Sequence, residues 1–172
     1  MIQYQNNKSK YVSSLALMIA LALIFSYVEA IIPYNPGIPG IKLGIANVVT
    51  VFALYKFSAK TAVTVNFTRI LLAGLLFNGF FGAIYSLCGA FLSLLGMIIL
   101  KRAKCFSITC VSIFGGVLHN MGQLIIAGLI IWDDKVFYYS PVLIFSGIFS
   151  GLGIGIITHL LLERLGDSDI EF

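Results

Sequence analysis

The stretch Tyr11-Val-Ser-Ser-Leu-Ala-Leu-Met-Ile-Ala-Leu-Ala-Leu-Ile-Phe-Ser-Tyr-Val-Glu-Ala-Ile-Ile32 decides the fold class, because its 22 residues carry one charge, Glu29. A helix rises about 1.5 Å per residue, so about 20 apolar residues cross the roughly 30 Å hydrocarbon layer of a bilayer. Five further apolar runs follow: Leu43–Tyr55, Thr61–Phe77, Gly79–Leu100, Ser107–Trp132 and Pro141–Leu162. Of the 172 residues, 59% are hydrophobic and 10% charged, too few charges to cover a water-exposed surface. A soluble fold is excluded. The expectation is an all-α integral membrane protein, one domain over residues 1–172 with six transmembrane helices at 11–32, 43–55, 61–77, 79–100, 107–132 and 141–162. The first run is longer than a signal-peptide core and lacks a small-x-small cleavage site, so it reads as a permanent helix.

The net charge of +4 invites a nucleic-acid reading, but the charges sit in short clusters between apolar runs, as topology signals do. Lys8, Lys10, Lys56, Lys60, Lys101, Arg102, Lys104 and Arg164 fall on one side, eight of the eleven Lys and Arg. The other side has the uncharged Pro33–Ile41 loop, the Asn78-Gly79 turn and Asp133-Asp134-Lys135. Both termini are therefore expected in the cytoplasm. Cys88, Cys105 and Cys110 form no CxxC pair and read as reduced packing residues. Small residues recur at helical spacing in Gly147, Gly151 and Gly155, in Ser86, Gly89, Ser93 and Gly96, and in Ala16 and Ala20. Such stripes let helices approach closely in lipid. For Ala16 and Ala20 the choice between packing inside the bundle and contact with another subunit stays open.

Ionisable groups within a membrane cost roughly 2.5–3.5 kcal/mol each on insertion scales and mark function by default. Arg69 lies about 12 Å below the outer end of the third run. Lys42 opens the second run, and Glu29 lies one turn below the outer end of the first. Asn47, Asn66, Asn78, His119, Asn120 and Gln123 add neutral polar groups. Asn66 and Arg69 are i, i+3 and His119 and Gln123 are i, i+4, so each pair shares a helix face. These residues predict a polar cavity lined by the second, third and fifth helices, open outward and closed toward the cytoplasm. Structural alternatives stay open: Lys42 snorkelling to the interface, Glu29 pairing with it, Arg69 held in purely structural pairing, and His119 serving as a packing residue. His159 reads as interfacial.

Missing chemistry narrows the class further. There is no Walker A pattern. The aspartates do not form the clusters that hold a magnesium diphosphate, so nothing supplies prenyl-transfer chemistry. His119 and His159 differ in depth by roughly 7 Å, which disfavours haem ligation. No metal, cofactor or catalytic residue is expected, and polar residues thin out toward the cytoplasmic half, against a pore.

Three segments carry a resemblance: Pro36-Gly37-Ile38-Pro39-Gly40-Ile41-Lys42-Leu43-Gly44-Ile45-Ala46-Asn47, then Arg69-Ile-Leu-Leu-Ala-Gly-Leu-Leu-Phe77, then Gly115-Gly-Val-Leu-His-Asn-Met-Gly-Gln123. In this order the chain resembles the bacterial membrane family labelled heptaprenyl diphosphate synthase component I, also called the Gx transporter family. That family is similar to the six-helix S components of energy-coupling factor (ECF) transporters. Those proteins capture vitamins from outside and dock on a transmembrane scaffold subunit and two ATPases. The resemblance implies a multi-pass protein of the bacterial plasma membrane and an S-component-like bundle. It makes Pro36, Gly37, Pro39 and Gly40 part of a lid, and Ala16 and Ala20 a scaffold-docking surface. The substrate-binding set is then Glu29, Lys42, Asn47, Asn66, Arg69, His119, Asn120 and Gln123. Lys42 and Arg69 outnumber Glu29, which favours a small anionic metabolite. A rival from another class is a non-catalytic membrane subunit tied to polyprenyl diphosphate or quinone synthesis, or to extracellular electron transfer.

Overall fold

The computed structural model describes residues 2–32 and 44–166, without the side chains of residues 2–8 and 166. Lys42 and the lid residues Pro36, Gly37, Pro39 and Gly40 lie outside the described residues. The described chain is helical throughout, without strands: α1 (Ile2–Ile31), α2 (Ala46–Lys56), α3 (Ala59–Ala73), α4 (Gly79–Ala103), α5 (Ile108–Ile131) and α6 (Ser140–Gly166). A π-helical turn, Gly74–Asn78, follows α3, and a 3-10 turn, Asp134–Tyr139, precedes α6.

Local chemistry sets several boundaries. The Ser58 hydroxyl accepts from the Thr61 N–H at 3.1 Å and starts α3, and Ser107 accepts from Cys110 N–H at 3.2 Å and starts α5. Each satisfies an amide that the first helical turn leaves unpaired. At the other end of α4, Lys101 and Arg102 occupy the last turn, where cations complement the helix dipole. Lys101 Nζ also donates to the carbonyl of Leu54 and so closes the last turn of α2.

Four stretches among the described residues are long and apolar enough to cross a membrane: Ser9–Ile31, Ala59–Ala103, Ile108–Ile131 and Asp134–Leu165. The 45-residue stretch Ala59–Ala103 would run roughly 68 Å if straight. Instead it folds back at Gly79, whose φ of 70° and ψ of 174° suit a residue without a Cβ. Its arms α3 and α4 lie against each other, with Gly74 facing Ala83. Helix α2 is different: 11 residues give about 16 Å, half the hydrocarbon layer. The second run is thus a short helix, in line with its short apolar stretch at 43–55.

The glycine spacing in the last helix has a direct consequence. A Cβ on Gly147 would lie 2.8 Å from Val117 Cα, one on Gly151 2.6 Å from Ile113 Cα, and one on Gly155 2.7 Å from Thr109 Cα. Helix α6 therefore touches the α5 backbone along three turns. The same holds between α4 and α5, where a Cβ on Gly89 would meet the His119 carbonyl at 2.7 Å and one on Gly122 the Cys88 carbonyl at 2.8 Å. Ala16 and Ala20, by contrast, are exposed on α1. Cys105 and Cys110 are also exposed, which corrects their reading as packing residues; Cys88 is half-buried. The buried apolar cluster, with Met18, Ala22, Val51, Leu54, Ala62, Val65, Leu94, Met97, Val111 and Ile154, draws on all six helices.

Candidate functional site

Against one side of that apolar cluster lies a polar cavity of about 90 Å³. Val51, Met97 and Ile154 line the cavity and also belong to, or border, the buried cluster, which therefore forms its floor. The walls carry Glu29, Asn47, Arg69, His119, Asn120 and Gln123, six of the eight residues expected to bind substrate. With Asn78 and residues of α4 and α6, the lining draws on all six helices, not on the second, third and fifth runs alone as the sequence predicts.

Arg69 is the charged centre of this lining. It is 9% exposed, its Nη1 donates to Ser26 Oγ at 3.0 Å, and its Nη2 donates to Asn66 Oδ1 at 2.6 Å. Its Nε is buried without a hydrogen-bond partner among the described residues. Both partners are neutral, and no carboxylate among the described residues stands within ion-pairing distance. Segment 33–43 contains no Asp or Glu at all. A buried cation without a counter-ion is costly, and one that keeps its charge needs an anion or dipoles to compensate.

Glu29 attracts Arg69 through space from across the cavity but makes no direct ion pair with it. Its Oε1 accepts from the backbone N–H groups of Gly44 and Ile45, the second at 3.1 Å. The carboxylate sits at the start of α2, where the helix dipole favours negative charge and the first amides lack partners. Glu29 thereby ties the end of α1 to α2 while still lining the cavity.

Asn66 has a different position from the expected one. It is 2% exposed and stands behind Arg69 as its hydrogen-bond acceptor, outside the cavity lining. The i, i+3 spacing was read correctly as one shared face, but that face serves to orient the guanidinium. On α5, Gln123 Nε2 and His119 Nε2 are 3.2 Å apart, and Asn120 Nδ2 donates to the Leu143 carbonyl at 2.8 Å. Asn120 therefore lines the cavity and ties α5 to α6 at once. His159 is exposed and pairs with Glu163 at 3.2 Å, outside the cavity lining.

Five serines complete the lining: Ser26, Ser86, Ser93, Ser112 and Ser150. Sequence reading passed over Ser26, Ser112 and Ser150, and took Ser86 and Ser93 for packing positions. A helical serine can satisfy its hydroxyl on a carbonyl one turn back, as Ser26 does on Ala22 at 2.9 Å, so it signals little by itself. The usable signal is position: Ser26 lies one turn before Glu29, and Ser112 one turn before Gly116. Among the described residues no group of three His, Cys, Asp or Glu could hold a metal ion. What remains is a donor-rich recess around one buried cation, suited to binding an anion through charge-assisted hydrogen bonds.

The family model described as heptaprenyl diphosphate synthase component I matches residues 18–161, a stretch that includes every residue of this cavity. No curated protein and no solved structure matches the chain.

Proposed function

The chain belongs to the heptaprenyl diphosphate synthase component I family, and from that premise we propose that it is a membrane-embedded binding subunit that captures a small anionic solute. The observation that carries this reading is Arg69: a buried guanidinium with two neutral partners, facing a polar cavity, with no carboxylate within ion-pairing distance among the described residues. The ligand's anionic group supplies the direct ion pair that Glu29, acting only through space, does not make. Asn47, His119, Asn120, Gln123 and the serines hydrogen-bond the rest of its polar surface. No covalent chemistry is needed.

In this reading α2 and the arms of the α3–α4 hairpin complete six membrane passages, with both termini in the cytoplasm and the cavity toward the outside. Lys42 and the segment with Pro36, Gly37, Pro39 and Gly40 come from the connection between α1 and α2, and they close over the bound solute. The chain then works as an ECF-type S component, and the exposed Ala16–Ala20 face of α1 meets the scaffold subunit that carries the two ATPases. The lid and partner assignments extend the resemblance residue by residue.

Native mass spectrometry of the protein purified from its own membranes tests the reading. Wild-type protein is expected to retain an anionic metabolite, and Arg69→Gln to lose at least tenfold in occupancy, in line with the roughly 2–5 kcal/mol lost when a buried charge pair is truncated. Unchanged capture in Arg69→Gln would overturn the assignment. Co-purification distinguishes the partners: a scaffold with ATPases supports import, whereas recovery of a soluble prenyl synthase in their place overturns it.

A further inference from the structure

A second cavity adjoins the first. It measures about 400 Å³ and lies between α4, α5, the 3-10 turn and the start of α6, lined by Tyr85, Leu124, Ala127, Ile131, Tyr139 and Leu143. Ser86 and Gln123 line both cavities, so their side chains form a shared wall. The two spaces differ in chemistry: the first surrounds a buried cation, and the second is almost entirely apolar.

We infer that the ligand is amphipathic, with its anionic group at Arg69 and an apolar body in the cavity beyond Ser86 and Gln123. This deepens, and rests on, the reading of the chain as an anion-binding subunit. Size supports it. Small-molecule sites span about 300–1,000 Å³, so 90 Å³ is too small for more than a head group, whereas the adjoining 400 Å³ falls within the range. Geometry supports it as well. The Gln123 amide faces the His119 ring at 3.2 Å, and a rotation of that side chain would open the wall without moving a helix. Apolar surface buried there contributes about 0.8 kcal/mol per methylene, while the head group supplies orientation.

The same chemistry fits a free amphiphile and an anionic membrane lipid, and one experiment covers both. The full-length protein is placed in phosphatidylcholine nanodiscs, and radiolabelled acetate, butanoate, hexanoate and octanoate are titrated by equilibrium dialysis. Affinity is expected to rise roughly threefold to fourfold per added methylene, and Arg69→Gln, which leaves bilayer partitioning unchanged, removes the bound fraction. Ala127→Trp fills the second cavity and is expected to flatten the series while acetate still binds. Val136→Trp, on the 3-10 turn that borders the cavity, does the same if the first variant fails to fold. Competition by phosphatidylglycerol at equal molar amounts assigns the site to a lipid, and its absence to a free amphiphile; both agree with the inference. A flat wild-type series, or one that stays steep in both Trp variants, overturns the inference and leaves anion capture standing. Binding of every member independent of Arg69 overturns the anion-capture reading itself.

Discussion

Between α5 and α6 the backbones meet through Gly147, Gly151 and Gly155, and between α4 and α5 through Gly89 and Gly122. Between α1 and α3 the ties are polar side chains instead: Tyr11 with Thr61 at 3.0 Å, Ser26 with Arg69 at 3.0 Å, and Glu29 reaching from α1 to the start of α2. One half of the bundle is joined by backbone contact at glycines, the other by side chains, apolar in the buried cluster and polar at these hydrogen bonds. At these five glycines the first has little room to adjust, since an added Cβ meets backbone. The second can re-form its bonds around a guest. A cavity set between a rigid wall and an adaptable one can hold a ligand firmly and still respond to its arrival.

The strongest way to break this contrast is to crowd the rigid half. Gly151→Leu drives a side chain into the Ile113 Cα and the Ser112 carbonyl, which lie 2.6 and 2.7 Å from the Cβ position. Overpacking of this kind costs about 3 kcal/mol or more where backbone must move. Thermal unfolding in detergent is expected to shift down by on the order of 10 °C. Ala16→Leu makes a comparable change at an exposed position of α1 and is expected to leave the midpoint within about 2 °C. Equal shifts in the two variants would show that glycine packing does not distinguish the halves.

A smaller effect, with opposite signs in two measurements, sharpens the account of the polar half. Asn66→Asp places a carboxylate where Asn66 Oδ1 now accepts from Arg69 at 2.6 Å. Hydrogen bonds to charged groups are worth about 1.5–3 kcal/mol, so the midpoint is expected to rise by several degrees. Anion binding falls at least tenfold, because the guanidinium is then directly paired with a carboxylate. If both quantities rise, Arg69 does not bind the ligand's charge. Sites held short of maximal stability for the sake of binding behave in this way.

How much of this was legible depended on the type of residue. The α5–α6 weld was readable, since three glycines four residues apart can only form a groove on a helix. Arg69, His119, Asn120 and Gln123 were readable because charges and amides are conspicuous in apolar runs. The distinction between Arg69 as cavity group and Asn66 as its holder was not, because spacing fixes a helix face and says nothing of what stands opposite it. The serines were silent for the energetic reason already given, whereas the short second run, Leu43–Tyr55, already implied a short α2. The backward fold at Gly79 was anticipated as a turn after Asn78, but the π-helical turn Gly74–Asn78 before it leaves no periodic signature.

The smallest expected effect separates a hydroxyl kept for the ligand from one that is merely tolerated. Ser112 Oγ and Thr158 Oγ1 are both buried without partners among the described residues, at 2% and 0% exposure. Ser112 lines the polar cavity and Thr158 does not. A buried hydroxyl without a partner costs about 1–3 kcal/mol, and replacing it by an apolar group of similar shape removes that cost. Thr158→Val is therefore expected to raise stability by about 0.5–1 kcal/mol and leave anion binding unchanged. Ser112→Ala removes the same kind of unpartnered hydroxyl and is expected to raise stability by a similar amount, yet to weaken binding about threefold to tenfold, because at the cavity wall that hydroxyl is the one a bound ligand would partner. The check is a pair of unfolding midpoints with a pair of binding isotherms. Were Thr158→Val to impair binding as much as Ser112→Ala, the cavity's boundary would have to be redrawn to include the C-terminal part of α6, and the apolar floor formed by Val51, Met97 and Ile154 would no longer separate ligand from core.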